Sequence, residues 1–318
     1  MAKQPPPPPD HASPPTDDGP EPGTRGCAVV LALGGGGARG VAHLGFLQVL
    51  LRTQVRVSAV AGSSIGAVVA ALLATGTDFE HSDPLLDRLR RCAPHNPLPH
   101  GSLSARVVGL FQAARLIGSD LVGLGAETGA CLEADLREML GDRDIASLPL
   151  PLALTATDLL TNEYVELRRG PLARAVHASA ALPGVFTPVP WGDRLLADGG
   201  ILANVPVRAA RHLRQSNEPV VAVSVSPPPA SELPRTGFGL LLHSSQLCAQ
   251  ALQERDEQEA DVVVRVDLPA DLSVFDFERS DEALAAGRAA GSSALGTIAT
   301  ACASRGAGEL DIPPYGRA

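Results

Sequence analysis

Between Gly23 and Thr77 the chain contains no aspartate or glutamate. That absence matters because the stretch holds Gly35-Gly36-Gly37-Ala38-Arg39-Gly40, a G-x-G-x-x-G match. A dinucleotide-binding loop wants an acidic residue about 20 positions further on to hold a ribose. No Gly-Lys-Ser/Thr follows either, which excludes a Walker loop. The chain also lacks C-x-x-C and H-E-x-x-H. Its five cysteines (Cys27, Cys92, Cys131, Cys248, Cys302) are odd in number and scattered. They are expected as buried or idle thiols in a reducing compartment, not as a disulfide framework or zinc site. No metal and no cofactor is expected. No long Lys/Arg block offsets the net charge of −9, which argues against a nucleic-acid partner. Met1-Ala2-Lys3-Gln4 followed by prolines is neither the basic start nor the apolar run of an export leader. Cytoplasmic residence, peripheral to a membrane, is the expectation.

Charge is also missing from Val57 to Thr77, a length that would suffice to span a bilayer. Gly62, Ser63, Ser64, Gly66 and Gly76 interrupt that stretch, and its first part is β-branched. A buried strand followed by a buried helix explains it better.

Three regions differ in composition. Residues 1–25 hold Pro5 to Pro9, Pro14, Pro15, Pro20 and Pro22 without apolar periodicity, as expected of a disordered tail. The chain as a whole is 45% hydrophobic, enough for one sizeable core in residues 26–305, and 306–318 form a second tail. Within the middle region, Ala28 to Leu33 reads as a buried strand and is followed by glycines, then by Val41, Leu44, Leu47 and Leu51 at helical spacing. Val55 to Ala61 repeats the pattern, with a glycine turn and the helical AVVAALLATG. Further strands are expected at Leu152 to Ala156, Tyr164 to Leu167, Val220 to Val225 and Val262 to Val266. Helices are expected at Val205 to Leu213, Leu240 to Glu259, and from Ser280 onward. Alternating strands and helices imply an α/β fold with a mainly parallel sheet covered on both faces.

The main chemical signal is Gly62-Ser63-Ser64-Ile65-Gly66 between strand and helix. A serine nucleophile must project from a sharp turn, and flanking glycines permit that turn and keep side chains off the substrate. A stray G-x-S-x-G is easily met by chance in a chain with 32 glycines; its place between strand and helix makes chance less probable. Consecutive glycines at 34–37 offer backbone N–H groups suited to an oxyanion hole. Arg39 adds a positive charge, and an ordinary surface arginine is its alternative. A third signal is Asp198-Gly199-Gly200 after Leu195-Leu196-Ala197; an Asp before glycines is most often a turn residue. It serves as a base only if burial raises its pKa and it receives the serine proton directly. His212 and His243 follow Asp158 and Asp198 in the order of an α/β-hydrolase triad, yet both sit in helical, polar surroundings that suit surface histidines. His43 suits packing better than chemistry.

At these residues the sequence resembles the patatin-like phospholipase family, in particular its bacterial members and the catalytic domain of neuropathy target esterase. The segments are LALGGGGARGVAHLGFLQVL (31–50), AGSSIGAVVAAL (61–72), LALTATDLLTNEYVELRRG (152–170), ASAALPGVFTPV (178–189), LLADGGILANVPV (195–207) and VFDFERSDEALAAGRAA (274–290). The resemblance implies a three-layer α/β/α fold and a Ser–Asp dyad without a catalytic histidine. Ser64 would be the nucleophile and Asp198 the proton acceptor. Gly35, Gly36 and Gly37 would form the oxyanion hole, with Arg39 supporting it, and Gly40, Gly62, Gly66, Gly199 and Gly200 completing the motifs. It further implies hydrolysis of a lipid ester through an acyl-enzyme without a metal, and peripheral membrane contact. Val107 to Phe111 with Arg88, Arg90, Arg91, Arg106 and Arg115 is one candidate for that contact, and a solvated helical segment is its simpler reading. Residues 78–130 diverge and leave the head group open. An acyltransferase, a histidine-using esterase and a non-catalytic lipid-binding protein are the competing functions.

Overall fold

The computed structural model describes residues 27–80, 87, 125–127, 129–226 and 237–305. Both expected tails, the patch Val107 to Phe111 and the arginines Arg88, Arg90, Arg91, Arg106 and Arg115 lie outside the described residues. The chain runs β1 (Ala28–Leu33), α1 (Ala42–Leu50), β2 (Arg56–Gly62), α2 (Ile65–Ala74), β3 (Gly125–Glu127) and α3 (Ala130–Leu140). It continues with β4 (Leu152–Asp158), β5 (Glu163–Leu167), α4 (Leu172–Ser179), β6 (Gly184–Phe186), β7 (Val189–Trp191) and β8 (Arg194–Asp198). Last come α5 (Val207–Leu213), β9 (Val220–Ser224), α6 (Gly237–Glu257), β10 (Val262–Arg265) and α7 (Ser280–Ser304). The uncharged stretch is thus β2 plus α2, and no described helix is long and apolar enough to cross a membrane.

Eight strands form one sheet in the order β10-β9-β1-β2-β4-β8-β7, with β5 also paired to β4. Strands β10, β9, β1, β2 and β4 are mutually parallel, while β5, β8 and β7 join antiparallel. Strand residues point alternately to opposite faces. Val29, Leu31 and Leu33 accordingly join a cluster containing Leu44 and Leu47 of α1, Val68 of α2, Val176 of α4 and Ile298 of α7. Val30 and Ala32 join a second cluster with Val207, Ala209 and Ala210 of α5. Helices therefore cover both faces, which is the expected three-layer α/β/α arrangement.

The register around β4 positions the site. Gly62 of β2 pairs with Leu154, and Asp198 of β8 pairs with Ala156. Leu154 and Ala156 also pair with Leu167 and Val165 of β5. β5 therefore takes one edge of β4, and β2 and β8 share the other. The end of β2 and the end of β8 meet there, two residues apart along β4.

One expectation is overturned. Cys27, at the start of β1, and Cys302, in the last turn of α7, form a disulfide with Cα atoms 5.6 Å apart. The packing of α7 across α1 and the sheet brings them together over a separation of 275 residues, a relation no spacing pattern carries. Of the other thiols, Cys248 is free and exposed.

Helix α7 crosses α1 at close range because Gly287 has its Cα against the Ala42 carbonyl. A side chain there would displace backbone. Gly287→Val is expected to lower stability by about 1–3 kcal/mol through overpacking, read as a fall in the urea midpoint at unchanged m-value.

Candidate active site

Ser64 occupies the turn between β2 and α2, as the residue preceding the first helical turn, with φ 54° and ψ −123°. A positive φ is rare for a residue with a side chain and marks a strained turn held by its surroundings. Its backbone N–H donates to Ser179 Oγ at 3.1 Å, and its carbonyl accepts from Ala67 N–H at 2.9 Å. Gly66 packs its Cα against the Leu33 carbonyl, so only glycine fits where the turn meets β1. The side chain is thereby aimed at Asp198, and Ser64 Oγ donates to Asp198 Oδ2 at 2.6 Å.

Asp198 has all its polar atoms engaged. Its N–H donates to the Ala181 carbonyl at 3.0 Å, and its carbonyl accepts from Thr157 Oγ1 at 3.1 Å. Oδ1 accepts from Gly200 N–H at 2.7 Å. The residue is buried, 4% exposed, and burial pushes its carboxyl up to about 6 against the opposing pull of the Ser64 and Gly200 hydrogen bonds. A carboxylate that weak an acid is a better proton acceptor than an exposed one. Asp158, the other downstream aspartate, is occupied differently. It accepts from Leu160 N–H, Leu195 N–H and Thr161 Oγ1 and so ties the β4–β5 turn to β8.

The glycine loop follows β1 and is fixed from several sides. Gly34 N–H donates to Val223 O, Gly35 N–H to Asn204 O, and Ala38 N–H to Val274 O, at 3.0, 3.0 and 2.8 Å. Gly36 and Gly37 N–H have no hydrogen-bond partner among the described residues. Gly37 has φ 57° and sits against the Val274 carbonyl, so the loop both needs and accommodates a residue without Cβ there. His43, fully buried on α1, donates from Nε2 to the Gly34 carbonyl at 2.7 Å. Burial lowers its pKa to about 4, so the ring is neutral at neutral pH. Arg39 Nε donates to the Leu272 carbonyl at 2.8 Å, so its guanidinium clamps the loop to the segment before α7. Gly40 has Ile65 against its Cα, and Gly199 has the Thr155 carbonyl, so both remaining turns are as tight as their glycines suggest. Gly62 pairs at the end of β2.

The structure thus gathers Ser64, Asp198, the glycine loop and Gly200 at the C-terminal ends of β1, β2 and β9. Strand order diverges there while the strands stay parallel, with β2 on one side of β1 and β9 on the other, which is where open α/β sheets hold ligands. His212 is not in this group. It is half exposed on α5, with Nδ1 bonded to Glu166 Oε1 at 2.8 Å. The side chain of His243 lies outside the described residues. No cluster of metal-binding side chains occurs among the described residues. Ser179, Asn204 and the positioning role of His43 were not foreseen; each lies inside a segment with family character, but nothing in local spacing marks it.

A family model described as patatin-like phospholipase matches residues 31–211, more than half of the chain. The chain belongs to the patatin-like phospholipase family. The matched span contains the glycine loop, Ser64 and Asp198 and ends within α5, before β9, α6 and α7. Among curated proteins, an NTE-family protein of Mycobacterium tuberculosis is 38% identical over 181 residues, 56% of this chain and 44% of its own. A second from the same organism is 28% identical over 298 residues, 85% of this chain and 47% of its own. Mouse patatin-like phospholipase domain-containing protein 6 is 29% identical over 217 residues, 68% of this chain and 15% of its own. The chain thus spans a little under half the length of its mycobacterial relatives. Among solved structures, VipD from Legionella pneumophila aligns with a TM-score of 0.47 at 17% identity, covering 86% of this chain and 67% of that one. Human GIVD cytosolic phospholipase A2 aligns at 0.46 and 12% identity, covering 88% and 60%.

The raised Asp198 pKa makes a stability prediction with a definite sign. The folded protein holds this proton more tightly than the unfolded chain, whose value is near 3.8. Ionisation of the buried group therefore costs stability as pH rises from about 4 to about 6, by roughly 2–3 kcal/mol in all. Asp198→Asn is expected to remove that decline, so urea unfolding at pH 4.5 and 7.5 should show the variant gaining on wild type at the higher pH. Equal pH dependence of the two proteins would contradict a buried, reluctant carboxylate.

Proposed function

We propose that this patatin-like protein is a lipid acyl hydrolase in which Ser64 is the nucleophile and Asp198 its direct base. The observation that carries the reading is the 2.6 Å hydrogen bond from Ser64 Oγ to a buried Asp198 whose carboxyl is pushed up to about 6. Ser64 Oγ attacks the ester carbonyl as its proton passes to Asp198 Oδ2. Gly36 and Gly37 N–H hold the oxyanion, being loop donors without a partner among the described residues, while Gly35 N–H keeps the loop in place on Asn204 O. Asp198 returns the proton to the leaving alcohol, leaving an acyl group on Ser64. A water gives a proton to Asp198 and attacks the acyl carbon; the C–O bond to Ser64 then breaks, Asp198 returns the proton to Ser64 Oγ, and the fatty acid is released.

Arg39 supports the hole by clamping the loop through Leu272. Leu182, 40% exposed and next to Ala181 beneath Asp198, offers apolar surface for an acyl chain or a membrane. His212 gives a histidine triad no support, because its Nδ1 is engaged with Glu166 of β5.

Hydrolysis of a short-chain p-nitrophenyl ester tests the reading. Ser64→Ala and Asp198→Ala are expected to lose at least about 10³-fold in kcat/KM, as loss of a nucleophile or its base does. His212→Ala is expected to stay within about twofold. Wild-type kcat/KM should fall with acid below a midpoint near 6, because only ionised Asp198 accepts the proton. An active, folded Asp198→Ala would overturn the dyad.

A further inference from the structure

A buried polar relay runs from the sheet's β10 end to the dyad. Arg265 on β10 is ion-paired with Glu257 on α6, whose side chain is 1% exposed. Glu257 Oε1 accepts from Gln253 Nε2 at 2.7 Å, and the same Nε2 donates to Ser224 Oγ at 2.7 Å. Gln253 Oε1 accepts from Asn204 Nδ2 at 2.7 Å and from Ser226 Oγ at 2.6 Å. The relay has a forced polarity. A carboxylate paired with arginine only accepts, so Gln253 must turn its NH2 to Glu257 and its oxygen to Asn204. Asn204 must then give its NH2 to Gln253, which leaves its own Oδ1 facing the other way.

That oxygen faces the dyad and has no hydrogen-bond partner among the described residues. A Cβ on Gly35 would lie 2.6 Å from Asn204 Oδ1 and 3.1 Å from Ser64 Cβ, so these two atoms are under about 6 Å apart. A Cβ on Gly200 would lie 3.0 Å from both Asn204 Oδ1 and Asp198 Oδ1, which sets the same bound of about 6 Å. One water making hydrogen bonds of about 2.8 Å bridges acceptors up to about 5.6 Å apart, a separation that this bound admits.

We propose that Asn204 Oδ1 is the second acceptor for the deacylating water, and that it thereby favours hydrolysis of the acyl-enzyme over transfer of the acyl group to an alcohol. This rests on the Ser64 acyl-enzyme reading. The water donates one O–H to Asp198 and the other to Asn204 Oδ1, leaving a lone pair for the acyl carbon. The first proton moves to Asp198 as the C–O bond forms. The Ser64 C–O bond then breaks, the proton returns to Ser64 Oγ, and the free acid carries the second hydrogen on its new hydroxyl until it ionises. An alcohol has a single O–H, gives it to Asp198, and gains nothing from Asn204. Gln253 and Glu257 are positioning residues that keep oxygen, not NH2, at the site.

The test is the ratio of free acid to ethyl ester formed from p-nitrophenyl butyrate in a fixed concentration of ethanol. A product ratio does not depend on the acylation rate or on the folded fraction. Asn204→Ala is expected to shift it about tenfold towards the ester, the worth of one hydrogen bond. Glu257→Gln lets its new amide donate to Gln253, which reverses both carboxamides; a shift in the same direction is expected with Asn204 untouched. An unchanged ratio in Asn204→Ala, or in Glu257→Gln should the first variant fail to fold, overturns the proposal. Turnover surviving in Ser64→Ala would instead overturn the acyl-enzyme reading beneath it.

Discussion

The site depends on strand register at one edge of β4. Pairing of Gly62 with Leu154 and of Asp198 with Ala156 sets the ends of β2 and β8 two residues apart. Two residues of strand are about 7 Å, close enough for the turn after Gly62 to bring Ser64 Oγ within 2.6 Å of Asp198 Oδ2. A slip of one residue would turn the Asp198 side chain to the opposite face of the sheet. The mixed pattern of the sheet suits the proposed roles: Ser64 follows a parallel strand leading into a helix, whereas Asp198 arrives on an antiparallel strand from the opposite direction.

That geometry places a carboxylate where water cannot solvate it. Burial raises its pKa, and the hydrogen bonds from Ser64 and Gly200 recover only part of the lost solvation. That cost is what the proposed direct aspartate base requires, since it raises the carboxyl's affinity for a proton without an intervening histidine. The glycine loop has the complementary problem of presenting bare N–H groups in a fixed arrangement. It is held by Val223 of β9, by Asn204 after β8, by His43 of α1, and by Leu272 and Val274 before α7. Val223, Leu272 and Val274 lie beyond residues 31–211, the span that matches the family model, so the C-terminal third of the chain belongs mechanically to the site.

Much of this was readable in the sequence because the chemistry sits in short local patterns. The continuous apolar runs of β1, β2, β4, β9 and β10 announce doubly covered strands. The glycines around Ser64 and after Asp198 announce turns. Strand β8 was legible only as a hydrophobic triplet before Asp198, since a five-residue antiparallel strand has too little periodicity. Helix α4, which supplies Ser179, was not foreseen because LARAVHAS is a single short amphipathic stretch. The relay from Asn204 to Gln253, the Arg39–Leu272 bond and the Cys27–Cys302 disulfide join residues 49, 233 and 275 positions apart. Such pairings are products of tertiary packing, and a pattern within one segment does not encode them. Gly35 illustrates a finer limit: the motif includes it, but only the fold shows that its N–H is committed to Asn204 O.

The most direct measurement is the pH dependence of covalent labelling by a fluorophosphonate, with the modified residue mapped by mass spectrometry. The account predicts a single label on Ser64, a labelling rate that rises through a midpoint near pH 6, and loss of that rise in Asp198→Asn. Label on another residue, or wild-type labelling kinetics in Asp198→Asn, would contradict it.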